Sequence, residues 1–510
     1  MSDSNLGSPV APATLRLRHL GIDSYRQHLV YMRDDCHVCR SEGFSVQSRV
    51  KVSMRGRNVI AALNMVTGDL LGPEEAGLSD AAWQALGARS GDVVAVEHAP
   101  PLESLGHVRA KVYGSRLDES AMRLIVEDIV AGRYSDVHLA AFVTACAGDR
   151  LDFEETVSLT RAMTDAGDRI RWPGDRVMDK HSVGGLPGNR TTPIVVAIVA
   201  AAGLTIPKTS SRAITSPAGT ADTMETLAPV NLSTTMMRRV VEREGGCIVW
   251  GGAVNLSPAD DIIIGVERPL DLDSEGQLVA SVLSKKLAAG STHVLVDMPV
   301  GTTAKVRSME AAGALAARLI DVGKAIGLAV DVMMSDGRQP VGRGIGPSLE
   351  ALDIVAVLQN AREAPADLRE RAIALAARLI DLGNGDEAGT GLARASTLLE
   401  DGSAWRKFAA ICEAQGGMRE PPRALHRRPV VAIRDGYVAA IDNRRLARVA
   451  KLAGAPASPA AGIEFLSPLG TRVNSGQPLF VVHAAAAGEM NYELAYLEQQ
   501  PDIVAITETL

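Results

Sequence analysis

The run Asp179-Lys180-His181-Ser182-Val183-Gly184-Gly185-Leu186-Pro187-Gly188-Asn189 gathers an ammonium, an imidazole and a hydroxyl, followed by glycines that let backbone amides approach a ligand. Such a concentration of donors suits an oxyanion, and the run reads as a phosphate site. A triphosphate loop of the Walker type would place Lys-Ser/Thr directly after the last glycine, whereas Gly188 is followed by Asn189 and Arg190. Nucleoside triphosphate hydrolysis is therefore not expected. Two further stretches could share the work. Pro207-Lys-Thr-Ser-Ser-Arg-Ala-Ile-Thr-Ser-Pro-Ala-Gly-Thr-Ala-Asp222 is dense in hydroxyls around Arg212, and Ser281-Val-Leu-Ser-Lys-Lys286 carries hydroxyls and two ammoniums. Each alone has an ordinary reading, as a turn, a polar surface loop or a solvated helix face, so the case rests on their joint occurrence.

The elements that must position these groups read as α/β from Pro173 onward. Thr192–Ala202 can follow the glycine-rich loop as a helix, presenting its positive N-terminal end towards it. Val294–Val300 is a candidate buried strand, and Gly301-Thr-Thr-Ala-Lys305 begins another glycine-to-helix transition. Strands alternating with helices at 308–327, 348–359 and 366–382 predict a mainly parallel sheet with helices on both faces. The Gly/Pro-rich segment 336–347 is expected as a loop.

Upstream, residues 1–14 read as a loose tail. From 15 to 114 the short runs Ser45–Val52, Asn58–Leu63, Asp92–Val96 and Val108–Val112, separated by turn residues, predict a small β-rich domain. Helical patterns follow at 118–130, 136–147 and 152–165, with Ser135 and Asp152 as caps. Arg419–Pro429 reads as a linker, and strands near 435–441, 462–466 and 477–482 predict a small C-terminal α+β domain over 430–510.

Bulk properties narrow the function. At 510 residues the chain exceeds one hydrophobic core, so several domains are expected. A net charge of -7 with 3% aromatics argues against a nucleic-acid polymer, which needs a basic face and stacking platforms. No stretch reaches the ~18 uninterrupted apolar residues of a membrane span, and the N-terminus lacks a basic segment followed by an apolar core, so the expected compartment is the cytoplasm. Five cysteines at 36, 39, 146, 247 and 412 form no disulfide framework, and Cys36-His-Val-Cys39 lacks the second ligand pair that structural zinc would need. No metal site is expected.

Taken together, Asp-Lys-His-Ser-x-Gly-Gly at 179–185, Pro-x-x-Ser-x-Arg at 207–212, Gly-Thr-x-Asp at 219–222 and Ser-x-x-Ser-Lys-Lys at 281–286 resemble the thymidine and pyrimidine-nucleoside phosphorylase family, from about Asp118 to the C-terminus. The resemblance implies a multidomain α/β protein. An all-α domain would comprise 115–175 and about 258–292, and a large mixed α/β domain of the nucleoside phosphorylase/phosphoribosyltransferase-like kind would comprise 176–257 and 293–425. It also implies phosphate ligands at Lys180, Ser182, Thr192, Ser210 and Thr220, and base contacts at His181, Ser281, Lys285 and Arg268.

The additional N-terminal domain, the loop Thr215-Ser-Pro-Ala-Gly-Thr220 and the inserted Pro187 look like the AMP phosphorylase branch, whose members convert nucleoside 5′-monophosphates into base and ribose 1,5-bisphosphate. That likeness implies Asp273 as proton donor and nucleotide contacts at Gly185, Ser211, Arg212, Ala213, Ile214, Thr215, Ser216, Thr220, Ser281 and Lys305. Arg212 with the hydroxyls of Thr215 and Ser216 offers a second anion site for the 5′-phosphate.

Phosphorolysis needs no protein nucleophile. Bound phosphate attacks the anomeric carbon as the glycosidic bond breaks, and the enzyme supplies placement, charge and a proton for the departing base. The pyrimidine likeness gives the base-side role to His181 and the AMP likeness gives the acid to Asp273. Alternatives are a thymidine phosphorylase giving thymine and 2-deoxyribose 1-phosphate, a phosphoribosyltransferase-like reaction, and a non-catalytic nucleotide-binding protein. The expected partners are a small nucleoside or nucleotide and inorganic phosphate as co-substrate, with no further cofactor, in a homodimer or larger homo-oligomer.

Overall fold

The structure, a computed structural model, describes residues 14–510 apart from Tyr25, Ile214, Thr215, Asp271, Asp273, 386–388, Pro501 and Leu510, and without the side chains of Arg268 and Leu494. The expected tail lies outside the described residues except Thr14, which already opens a strand. The chain divides into two compact units.

The first unit runs to Ala166 and includes Pro258–Leu278. Strands β1 (Thr14–Ile22), β2 (Leu29–Arg33), β3 (Arg49–Met54), β4 (Arg57–Val66), β5 (Glu75–Ser79) and β6 (Val93–His98) close into a barrel in the order β1-β5-β2-β4-β3-β6. Alternation explains the closure: Val50, Val52 and Met54 of β3 point inward and meet Leu17, Met32, Leu63, Leu78 and Val96, while the intervening residues face outward. Helices α1 (His37–Glu42) and α2 (Asp80–Leu86) interrupt the strands, and the Cys36 sulfur caps α1 by accepting from the Cys39 amide.

Val108–Val112, expected as a strand, belongs to helix α3 (Ser104–Val112). Its β-branched residues are overridden by tertiary packing: Val108 and Lys111, one helical turn apart, are buried, and Lys111 Nζ pairs with Glu155 at 2.5 Å. The helical part therefore begins at α3 and continues through α4 (Glu119–Val130), α5 (Asp136–Cys146), α6 (Phe153–Asp165) and α10 (Pro258–Leu270). Asp152 and Glu155 form a reciprocal capping box on α6.

The second unit comprises Gly167–Ser257 and Val279–Leu510. Its sheet has β7 (Met178–Ser182), β10 (His293–Val300) and β11 (Ala329–Asp336) in the parallel order β11-β10-β7. A bridge from Val177 to Thr205 leads to the parallel pair β8 (Ile206–Ser210) and β9 (Gly246–Trp250). Around it stand α7 (Thr191–Ala201), α8 (Thr220–Glu225), α9 (Thr234–Glu244), α11 (Glu275–Ala288), α12 (Met309–Ala325), α13 (Pro347–Leu358), α14 (Ala366–Asn384), α15 (Thr390–Glu400) and α16 (Ser403–Gln415). Helix α7 is apolar on every side and buried from Thr191 to Ala200, as expected for a helix surrounded by others. Its Ile194 and Ile198 share a core with Leu295, Ile354, Leu375, Leu379 and Phe408.

The C-terminal part adds β13 (His426–Val431), β14 (Gly436–Ile441), α17 (Asn443–Leu452), β15 (Gly462–Phe465), β16 (Arg472–Val473), β17 (Pro478–Ala484), α18 (Ala487–Gln499) and β18 (Val504–Thr507). The 336–347 segment, expected as a loop, contains β12 (Gly344–Ile345), which completes the sheet β12-β15-β17-β13. The expected linker likewise ends inside β13. Among the described residues no helix is long and apolar enough to cross a membrane.

Candidate active site

Strand β7 sorts the lead motif by alternation. Lys180 and Ser182 face one side of the strand and Asp179 and His181 the other. Lys180 is almost wholly buried, and its Nζ donates to Thr191 Oγ1 at 2.9 Å and Thr192 Oγ1 at 3.4 Å, both in the first turn of α7. That helix end is buried and has no side-chain cap; the Thr191 amide is taken by the Asn189 carbonyl at 2.9 Å and Pro193 has no N–H, which leaves the Thr192 amide for an anion. Ser182 Oγ donates to Asp297 Oδ2 at 3.3 Å. Ser210, at the end of β8, is 7% exposed and its hydroxyl has no hydrogen-bond partner among the described residues. A buried orphan hydroxyl is costly unless a ligand completes it.

Thr220 opens α8 and accepts from Arg190 NH1 at 2.8 Å, while Arg190 NH2 donates to the Ala218 carbonyl at 2.8 Å and Nε to Glu350 at 2.7 Å. Arg190 thus fastens the hydroxyl-rich loop to the start of α7. In the sequence this residue served only to exclude a triphosphate loop; its place two residues after the last glycine was the signal for more.

On the other face, Asp179 lies beneath His181 in a buried cluster with Lys286 (2.8 Å), Lys208 (3.3 Å) and Ser291 (3.3 Å). Burial, joined by the positive charges of Lys286, Lys208, Lys180 and Lys285, holds His181 well below the usual histidine value. His181 is therefore a neutral imidazole near neutral pH, able to orient a base by hydrogen bonding but not to act as an imidazolium acid. Its charge environment brings Lys285 of α11 to the same place, and Ser281 lies one turn before Lys285 on that helix.

The glycine-rich loop comes within touching distance of another predicted contact. Gly185 has φ +80°, and a Cβ there would meet the Lys305 backbone nitrogen at 2.5 Å. Lys305 lies in the turn before α12, whose cap is Ser308, and its side chain is exposed with no ion pair among the described residues. From the C-terminal part, Asn443 fixes that turn, its Nδ2 donating to Thr303 Oγ1 at 3.1 Å and the Gly337 carbonyl at 3.0 Å. Gly185→Ala should keep the fold, because the strain is confined to a loop, yet displace the Gly184–Gly185 backbone from Lys305. Base release should fall about 100-fold in steady-state assays, as expected for a shift of about 1 Å in a positioning element.

Arg212 is found in a different state from the one expected. Its guanidinium binds Glu225 at 2.6 and 3.0 Å and Asp222 at 3.2 Å, and it stacks over Trp250 at 4.9 Å. Two carboxylates already match its charge, so it braces the loop; Asp222 also accepts from the Ala213 amide at 2.6 Å. Ser216 Oγ donates to the Ala218 carbonyl, and Ser211 is exposed at the loop's start. Ile214, Thr215 and Asp273 lie outside the described residues, as does the Arg268 side chain.

Known proteins carry the same arrangement of domains. Residues 174–405 match the model described as "Glycosyl transferase family, a/b domain", residues 107–167 its helical bundle domain, and residues 437–500 the "Pyrimidine nucleoside phosphorylase C-terminal domain". A protein of Polaromonas sp. (strain JS666) named "Putative thymidine phosphorylase" is 63% identical over 501 residues, 98% of each chain. The chain belongs to the thymidine/pyrimidine-nucleoside phosphorylase family.

A relative of the same name from Sphingopyxis alaskensis is 60% identical over 98% of this phosphorylase and 97% of its own length. Among solved structures, anthranilate phosphoribosyltransferase from Thermus thermophilus shares the fold, with a TM-score of 0.50 at 18% identity over 60% of this chain and 98% of its own. Membership makes the protein a pentosyltransferase that acts on a nucleoside-type substrate with phosphate. The multidomain α/β class expected from the sequence is the one found.

Proposed function

We propose that the protein cleaves nucleoside 5′-monophosphates by phosphorolysis. Inorganic phosphate attacks C1 of the ribose, the C1–N bond breaks, and the base leaves with a proton while ribose 1,5-bisphosphate forms. Phosphate is held by Lys180, Ser182, Thr192, Ser210 and Thr220 together with the first turn of α7; the base lies against His181, Ser281, Lys285 and Arg268. No cofactor takes part. The neutral state of His181 supports Asp273 as the acid.

The observation that carries the nucleotide reading is a second cation beside the glycine loop, exposed and without an ion pair among the described residues. This is Lys305, whose backbone abuts Gly185. It takes over the 5′-phosphate role first expected of Arg212. Lys305→Ala should raise KM for a nucleoside 5′-monophosphate about tenfold and leave the matching nucleoside unchanged, in keeping with loss of one exposed charge-assisted contact. Arg212→Ala should weaken both alike by loosening the loop. Equal effects of Lys305→Ala on nucleotide and nucleoside would remove the 5′-phosphate assignment.

A second reading, thymidine phosphorylase giving thymine and 2-deoxyribose 1-phosphate, is favoured by the names of the relatives. Base release from AMP, CMP, UMP, thymidine and uridine, with and without phosphate, separates the two. Turnover of thymidine in preference to all three nucleotides would overturn the leading reading, and release independent of phosphate would overturn both.

A further inference from the structure

Asp297 is a fully buried carboxylate in the otherwise apolar run Val294-Leu-Val-Asp-Met298 of β10, and the chemistry above gives it no part. The parallel register places it directly opposite Ser182. Its Oδ2 accepts from Asn189 Nδ2 at 3.1 Å and Ser182 Oγ at 3.3 Å and lies 3.5 Å from Lys180 Nζ; its Oδ1 accepts from Ser335 Oγ at 2.9 Å. One side chain thus receives contacts from two of the phosphate ligands and from the residue that ends the glycine loop.

A negative charge directly behind an anion site repels phosphate, so its presence needs another account. An ammonium cut off from water loses its hydration and needs a counter-charge to stay ionised. We propose that Asp297 is a positioning residue of the phosphate half-site: its carboxylate keeps Lys180 cationic and in place while the site is empty, and holds the Ser182 hydroxyl ready to turn to the arriving phosphate. The inference rests on the phosphate-site reading above.

The remaining charges around the pair agree with this role. Arg190 at the start of α7 and Arg371 of α14 act on Lys180 with the same sign as its own charge, and Asp297 opposes them. Arg371 is itself drawn by Asp297, Asp336 and Asp367, and its guanidinium donates to the Asp336 carbonyl at 2.6 Å. His181, Lys208, Lys285 and Lys286 share one charge environment around the other face of β7. Burial, the largest influence, brings Lys180 down to about 8, and Asp297 resists that fall. Without the carboxylate, Lys180 loses its proton at a lower pH, and phosphate loses its cationic ligand there.

The test compares full-length wild type with Asp297→Asn, Ser335→Ala and Lys180→Met, measuring kcat/KM for inorganic phosphate across about pH 5.5 to 9.5. Asp297→Asn keeps the shape and removes the charge. Its alkaline limb should move to lower pH by about one unit or more, with a loss of at least about fivefold near pH 8 that largely recovers near pH 6. Ser335→Ala leaves the carboxylate charged but less firmly held, and should give a smaller displacement of the same sign. Phosphate's own ionisation affects every enzyme equally and cancels in the ratio to wild type. A ratio that stays constant with pH, whether near one or uniformly low, overturns the inference. Should Asp297→Asn fail to fold, an unmoved alkaline limb in Ser335→Ala overturns it instead. If Lys180→Met keeps phosphorolysis, the phosphate-site reading fails; if it abolishes phosphorolysis and the Asp297→Asn ratio is flat, the Asp297 inference alone fails.

Discussion

Lys180→Met should lower kcat/KM for phosphate by about 10²- to 10⁴-fold. The magnitude follows from truncating one partner of a buried, hydrogen-bonded charge pair, which costs about 3–5 kcal/mol. Methionine preserves most of the volume, so the loss reports the ammonium and not a cavity. Lys180 Nζ touches Thr191, Thr192 and Asp297 together, and its side chain is wholly buried. The same substitution strands Asp297, and the melting temperature should fall even though Asn189, Ser182 and Ser335 still hydrogen-bond the carboxylate. Adding Asp297→Asn should restore much of the stability and none of the activity. Activity within a few-fold of wild type would show that phosphate binds elsewhere.

The second large effect concerns the proton given to the base. Asp273→Asn should cut kcat by about 10²- to 10⁴-fold and remove or displace the limb of the pH profile that belongs to the acid. His181→Ala should cost less and leave that limb where it is. The difference follows from the state of the imidazole: its charged form is disfavoured by burial and by four lysines, so it has no proton to give at neutral pH. The sign is fixed, since a depressed histidine protonates only on further acidification and activity cannot depend on its cationic form above that point. Near wild-type rates in both variants would remove the acid from this pair altogether.

What could be read from the sequence was what is local. Lys180, Ser182 and Gly185 stand within six residues of one another, and donor chemistry followed by glycine is visible without knowing the fold. Helix α7 was readable for a related reason, a long apolar run placed just after a glycine-rich turn. Asp297 was hidden because its partner Ser182 is 115 residues away, and only the parallel register of β7 and β10 brings them face to face. A lone acid inside Val294–Val300 was nonetheless a signal, since a charge in a buried strand must be paired. Arg212 shows the opposite case, a residue whose partners the sequence did not reveal. Its positive charge was plain, but helix α8 folds Asp222 and Glu225 back onto it and uses that charge internally. Val108–Val112 failed because β-branched composition describes a preference, and Lys111 reaches Glu155 from a helix.

The stitching of the C-terminal part to the α/β part restricts how such a chain could have been put together. Strand β12 has its ladder partner in β15, the Arg343 carbonyl accepts from the Phe465 amide at 2.7 Å, and Asn443 satisfies the Gly337 carbonyl. A chain stopped before His426 would leave β12 and the Arg343 and Gly337 carbonyls without these partners, and the turn that carries Lys305 without Asn443. The last eighty-odd residues are thus not an interchangeable cassette appended to a finished enzyme, and recombination that swapped them would have to rebuild the support of the Lys305 turn at the same time.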